Sequence, residues 1–401
     1  MNSFEWRSTV ALGAIQALRM FGMFMILPVF AIYARDLPGG AANWQIGLAI
    51  GLYGLVQAVL QIPFGILSDR LGRKPVIVAG LVLFAAGSII AGSTRDIHWI
   101  MLGRTIQGAG ALSGAVSALL ADTTRLEVRT QAMAIMGAGM GLSFVIALIA
   151  GPLFDGWIGV DGIFQLTGVC ALLAIPLVIY AVPDAPRSGV GEPRGFGAVV
   201  IDTQLLRLDG GIFILHTMMT CLFIAAPQAI EQTLGLAAPK HWQVYLPVLV
   251  ASLIPVFPLI RRIEAHGKTK TAFVGAIVLL GVALALLGQT YRETTGLLAG
   301  LVIFFVGFNY LEGSLPSMIS KRAPANRKGA ALGIYSSAQF LGGAAGSNLG
   351  EFATGHWGLG GAFAAAAALS LIWLTFATGL MPLPGSGELH DRGDTTAALG
   401  E

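Results

Sequence analysis

Residues 65–75 read Gly65-Ile-Leu-Ser-Asp69-Arg70-Leu-Gly72-Arg73-Lys74-Pro75, a knot of charge between two long apolar runs at 46–67 and 76–93. Each run is long enough to cross a bilayer as a helix, so the knot belongs in a tight loop at a membrane surface. One acid and three bases share little more than a helical turn there, and Gly65 and Gly72 allow close backbone approach and a sharp turn. Such a loop is either a topology signal alone or a place where the charges make specific contacts.

The rest of the chain agrees with a membrane setting. Of its 401 residues 55% are hydrophobic and only 11% charged, with a mean hydropathy of +0.76, against roughly 25% charged residues in a soluble domain. The net charge of +3 and the lack of a long basic run argue against a nucleic-acid partner. Cys170 and Cys221 both fall inside apolar runs and offer neither a disulfide framework nor metal-ligand spacing. The first apolar run is too long for a signal-peptide core and has no convincing cleavage site, so it reads as a retained span. The many glycines suit close helix packing in lipid.

Hydropathy divides the chain into twelve candidate helices, at 8–34, 44–68, 75–93, 98–121, 132–154, 163–181, 209–233, 242–260, 270–290, 295–319, 328–354 and 359–380. The expected organisation is a six-helix half at 1–182, a linker at 183–208, a second six-helix half at 209–381 and a disordered polar tail at 382–401. The linker holds Pro183, Pro186 and Pro193, with a short surface helix expected near 202–207. Lys and Arg gather on one side of these spans, as Arg70, Arg73, Lys74, Arg125, Arg129, Arg261, Arg262, Lys268, Lys270, Lys321, Arg322, Arg327 and Lys328. The other side holds only Arg35, Arg95, Lys240 and Arg292. This asymmetry puts both termini in the cytoplasm. A repeat supports the two halves: Arg129-x-x-Ala132 opens the fifth span and Arg327-x-x-Ala330 the eleventh. Likewise, Glu264-x-x-Gly267-Lys268 is a worn copy of Asp69-x-x-Gly72-Arg73.

The 65–75 loop resembles the signature between the second and third helices of the major facilitator superfamily. From about residue 7 to 380 the chain is similar to the drug:proton antiporter branch of that family. Leu18-Arg-Met-Phe-Gly-Met-Phe-Met, Gln61-Ile-Pro-Phe-Gly-Ile-Leu-Ser-Asp-Arg and Gly307-Phe-Asn-Tyr-Leu-Glu-Gly-Ser-Leu-Pro-Ser look most like its YajR-type group. That group carries a further soluble domain after the twelfth helix, for which the residues beyond 380 are too few. The resemblance implies an all-α integral membrane fold of two pseudo-symmetric six-helix bundles. It further implies a monomer in a bacterial inner membrane, with a substrate site between the halves near the midplane.

Its motifs carry roles over to particular residues. The acid matching Asp69 meets the start of the eleventh helix, near 327–330, and the base matching Arg73 pairs with an acid at the end of the fourth, for which Asp122 is the candidate. Gly65, Asp69, Arg73 and Asp122 then form a conformational latch. The alternative is a set of exposed ion pairs worth little. In the fourth span, Arg104-Thr-Ile-Gln107-Gly108-x-Gly110 resembles a motif associated with proton coupling; an Arg there is costly unless partnered, although snorkelling to the near surface is open to it. Gly137, Gly139, Gly141 and Gly151-Pro152 form a degraded copy of an antiporter motif, or ordinary small-residue packing.

Arg19 and Glu312 stand near mid-depth in opposite halves. A Glu alternately exposed and paired with an Arg would load and release a proton; a static ion pair is the plainer alternative. Tyr53, Gln57, Gln61, Gln107, Asn309, Tyr310, Tyr335 and Gln339 are the candidate cavity lining, each equally suited to an interhelical hydrogen bond. His216, a lone helical histidine, reads as structural. The expected activity is export of small amphipathic compounds in exchange for protons by alternating access. No cofactor beyond the proton gradient and no enzymatic constellation is expected. A proton symporter of a small nutrient shares the fold, and a non-transporting membrane sensor is the reading from a different class.

Overall fold

A chain this apolar satisfies its backbone in lipid only by pairing each amide within its own segment, and helix is the one way a single run does so. A computed structural model describes residues 1–38, 40–183 and 197–381, and among them the chain is helical with no strand. The helices are α1 (Ser3–Arg35), α2 (Asn43–Leu71), α3 (Arg73–Gly92), α4 (Ile97–Ala109), α5 (Ser113–Asp122), α6 (Arg129–Pro176), α7 (Gly197–Val200), α8 (Thr203–Leu234), α9 (Trp242–Ala265), α10 (Thr269–Thr290), α11 (Thr294–Arg322) and α12 (Lys328–Ala377). Among the described residues nine helical segments are long and apolar enough to cross a membrane. Two of the nine run for 53 residues and are broken by a left-handed glycine, Gly159 (φ 68°) in α6 and Gly358 (φ 70°) in α12. Only glycine holds that conformation without strain. The twelve expected passes are recovered by counting each of these runs as two and α4 with α5 as one.

That last pair corrects the sequence reading, which expected one unbroken helix at 98–121. The helix stops at Ala109 and restarts at Ser113. Gly110 sits so close to the Gly80 carbonyl of α3 that no side chain fits, and its own carbonyl accepts from the Gln57 amide at 3.3 Å. Close packing and an outside donor replace the helical ladder. The seventh span also starts earlier than expected, at Thr203, because Asp202 caps it by accepting from the Gln204 and Leu205 amides. The short helix expected near 202–207 is therefore its first turn. Outside the spans, Asp96 caps α4 in the same way, and the His98 amide holds its carboxyl below the usual range. Most of the expected linker (184–196) and the tail (382–401) lie outside the described residues.

The repeat runs deeper than the two sequence matches. Asn2 and Asp202 cap the first helix of each half. Arg7 donates to the Ala181 and Tyr180 carbonyls at 2.8 Å each, and Arg207 to the Gly379 carbonyl. Arg125 pairs with Glu5 at 2.8 Å, and Arg322 donates to Gln204 at 2.9 Å. The outer surface is apolar, with Leu55, Val59, Ile254 and Leu371 exposed. Trp44, Trp99, Trp157 and Trp357 stand exposed at helix ends or breaks away from the 65–75 loop. Such a tryptophan ring marks a membrane–water boundary.

Candidate functional site

At the loop end of the molecule the two halves are joined through one carboxylate. The Gly329 and Ala330 amides, the first free donors of α12, both donate to Asp69 at 2.8 Å. A carboxylate at a helix N-terminus answers the positive end of the macrodipole and two otherwise orphaned amides. Arg73 bridges Asp69 at 2.6 Å and Asp122 at 3.0 Å, and Lys328 reaches Asp122 from the other half at 2.9 Å. The Asp69 and Asp122 side chains are only 2% and 6% exposed, so these are not solvent-screened surface pairs. Glycine makes the approach possible. A side chain at Gly65 would run into the Gly329 carbonyl, one at Gly333 would meet the Gln61 carbonyl, and one at Gly114 would meet the Gly333 amide. Thr130 and Ser317 close the same end from α6 and α11, 2.8 Å apart.

The first half buries two arginines. Arg19 spends its guanidinium on Gln16 (3.2 Å), the Tyr53 hydroxyl (2.8 Å) and Ser113 (2.8 Å). It faces none of Glu312's atoms, so the expected pairing across the halves is corrected. Three acceptors on neighbouring helices of its own half satisfy it where it stands. Arg104 does not snorkel: it donates to the Ala49 carbonyl (3.1 Å), the Ile50 carbonyl (3.4 Å) and Gln107 (2.5 Å), over the Tyr53 ring at 5.0 Å. Gln107 donates on to Ser88 at 2.8 Å, Gln61 donates to Gln57, and Gln61 accepts from the Gly114 amide. Tyr53, Gln57, Gln61 and Gln107 are thus enclosed and committed to protein partners, contrary to the cavity role expected of them.

The second half holds a different kind of cluster. Glu312 projects from α11, where Gln339 of α12 donates to its Oε1 at 3.0 Å. The same amide nitrogen lies 2.9 Å from His216 Nε2 of α8, which is 3.9 Å from Glu312 Oε2. Glu312 Oε2 is buried with no hydrogen-bond partner, and so is the Tyr335 hydroxyl. Phe308 packs on the His216 ring and stacks on Phe304, giving the cluster an aromatic floor. Asn309 is drawn away to Ser252 at 2.9 Å, and Tyr310 is buried, so neither joins it. Across from Glu312 stands the glycine face of α6. A Cβ on Gly137 would come 3.3 Å from Glu312 Cγ, Gly139 opens on free space, and Gly141 faces Leu249 at 3.6 Å. Gly151 and Pro152 lie farther along α6, outside this contact. Two surface pockets, about 510 Å³ beside Arg95 and about 370 Å³ beside Arg292, occupy matching turns of the two halves and touch none of these residues.

Sequence reasoning placed Glu312, Gln339 and Tyr335 in the candidate site, but ranked His216 as structural and passed over Asp209. The seven-residue interval between these last two, which puts them two turns apart on one face of α8, was the available signal.

A match to the Major Facilitator Superfamily covers residues 12–347, with a second over 210–397. The chain is 42% identical over 389 residues to the inner membrane transport protein YajR of Escherichia coli (strain K12), across 96% of this chain and 85% of that protein. It is 27% identical over 347 residues to the multidrug resistance protein MdtH of Aeromonas hydrophila subsp. hydrophila, across 82% and 83% of the two chains. Among solved structures, the proton:xylose symporter XylE bound to 6-bromo-6-deoxy-D-glucose superposes with a TM-score of 0.78 at 15% identity, covering 95% of this chain and 96% of that one.

Proposed function

The chain belongs to the major facilitator superfamily, and is thus an integral membrane transporter and not an enzyme; from that premise we propose that it is a proton-coupled antiporter exporting small amphipathic compounds. In this reading two six-helix bundles, 1–182 and 209–381, rock about a cleft, with both termini cytoplasmic in a bacterial inner membrane. Asp69, Arg73 and Asp122, with Lys328 added, latch the cytoplasmic side while the cleft faces outward. Glu312 carries the proton, aided by Gln339 and His216, and the transporter works as a monomer. Arg19 and Arg104 hold the first bundle's shape and act on coupling only through that shape.

The observation that carries the reading is the arrangement around Glu312. It is a carboxylate buried in a membrane-spanning helix, with one oxygen unpartnered, set opposite the bare glycine face of the other bundle. A buried acid whose environment changes as two bundles part is the element that couples a proton to alternating access. The similarity to a multidrug resistance protein supports export of amphipathic compounds. The aromatic floor of Phe304, Phe308 and His216 supports the same substrate class.

The test is the direction of proton flow. Purified protein in vesicles loaded with a pH-sensitive dye is offered a panel of amphipathic cations and neutral compounds. An antiporter releases protons from the compartment the compound enters; proton movement in the same direction as the compound identifies a symporter and contradicts this reading.

A further inference from the structure

Asp209 is a second buried acid that the mechanism above leaves unused. It lies on α8 about 9 Å from the helix start, at ~1.5 Å per residue, and is 8% exposed. Its Oδ1 is buried without a hydrogen-bond partner. No described cation pairs with it. On its own helix Arg207 donates to the Gly379 carbonyl, and His216 is turned to Gln339. From α11, Arg322 donates to Gln204 and the Met381 carbonyl. The titratable groups facing it are the Tyr335 phenol of α12 and, beyond it, Glu312 of α11. Tyr335 lies within electrostatic reach of both carboxylates and is itself unpartnered. Three polar groups on three helices, each with an unused position, therefore form a line. It runs from Glu312 toward the end of the molecule that Asp69 closes on Gly329 and Ala330.

We propose that Asp209 is the inner stop of a proton path, with the Tyr335 hydroxyl passing the proton between it and Glu312. This rests on Glu312 as proton carrier and adds the route by which its proton leaves. In the transfer, the Glu312 O–H bond breaks as the Tyr335 oxygen gains that proton. The Tyr335 O–H bond breaks as Asp209 gains one. The net change turns protonated Glu312 and ionised Asp209 into ionised Glu312 and protonated Asp209. A lone carboxylate in a membrane-spanning helix is expensive to keep ionised. Asp209 sits about a turn and a half behind the closed latch, where parting of Asp69 from α12 admits water. Opening that end lets the proton go.

Infrared difference titration of the purified full chain tests this without any substrate. Two carboxylic-acid carbonyl bands are expected to vanish as pH rises, one removed by Glu312→Gln and the other by Asp209→Asn. Tyr335→Phe should keep both bands and shift their positions. If Asp209→Asn leaves both bands in place, the proposal is overturned. If that variant does not elute as a monodisperse protein, Asp209→Glu replaces it: a displaced second band supports the path and an unaltered spectrum refutes it. Should the Asp209 band be present while proton flow in vesicles runs with the compound, the antiport reading fails and the path stands. Should the band be absent while exchange is normal, the path fails alone.

Discussion

The two halves bury charge in opposite ways. Arg19 and Arg104 in the first half are each tied at Nε, Nη1 and Nη2 to oxygens of neighbouring side chains and carbonyls. In the second half, Glu312, Tyr335 and Asp209 each keep an oxygen buried and unpaired. A buried polar group with every position used is a strut, because moving it costs each of those bonds at once. One with a position left open has something still to bind. Depth in the membrane is shared by both clusters; only the state of their hydrogen bonds separates structure from transport.

The sharpest way to break that comparison is to remove a strut. Arg19→Met strands Gln16, the Tyr53 hydroxyl and Ser113, and is expected to cost about 2–4 kcal/mol, read as a lowered thermal unfolding midpoint in detergent. The protein that remains folded should keep its response to pH. Normal stability with a changed pH response would put Arg19 among the working groups. Next comes Asp69→Asn, which weakens the cap on α12 and one partner of Arg73. A loss of about 1–2 kcal/mol shifts the balance of states roughly tenfold or somewhat more. Cysteine probes placed behind the loop end should then label about tenfold faster, and equal labelling before and after would remove Asp69 from the latch. The smallest effect sharpens the comparison from the other side. Gly137→Ala crowds Glu312 Cγ at 3.3 Å and should slow transport by about two- to five-fold, or 0.4–1 kcal/mol. Gly139→Ala, which meets open space, should leave transport unchanged.

Much of this was readable from residues alone, and the failures have physical causes. The latch was legible because 65–75 packs its charges into a loop of fixed length, so Asp69, Arg73 and Asp122 had few places to go. Its fourth member, Lys328, belongs to another half and another helix, and local spacing says nothing of it. Arg19 and Glu312 were placed at the right depth, since depth follows from counting residues. They were wrongly paired because the direction a side chain takes around its helix depends on which neighbours offer acceptors. Tyr53 and Ser113 outcompeted a distant carboxylate. The break at Ala109–Ser113 was hidden because Gly108 and Gly110 read equally well as packing glycines in a continuous helix. Asp209 was missed because the seventh span was begun at that residue. A helix-end acid looks solvated, whereas the Asp202 cap carries α8 a turn and a half farther out and leaves Asp209 inside.

Exchange of labelled compound across vesicles, measured with and without an imposed pH gradient, reaches the central claim most directly. Glu312→Gln removes the ionisable oxygen pair and keeps an amide of the same size against Gln339, so binding and bundle movement can continue. The account predicts that this variant exchanges compound at equal concentrations and gains nothing from the gradient. Gradient-driven transport at the level of the unaltered protein would contradict it, and would move the proton to a group other than Glu312.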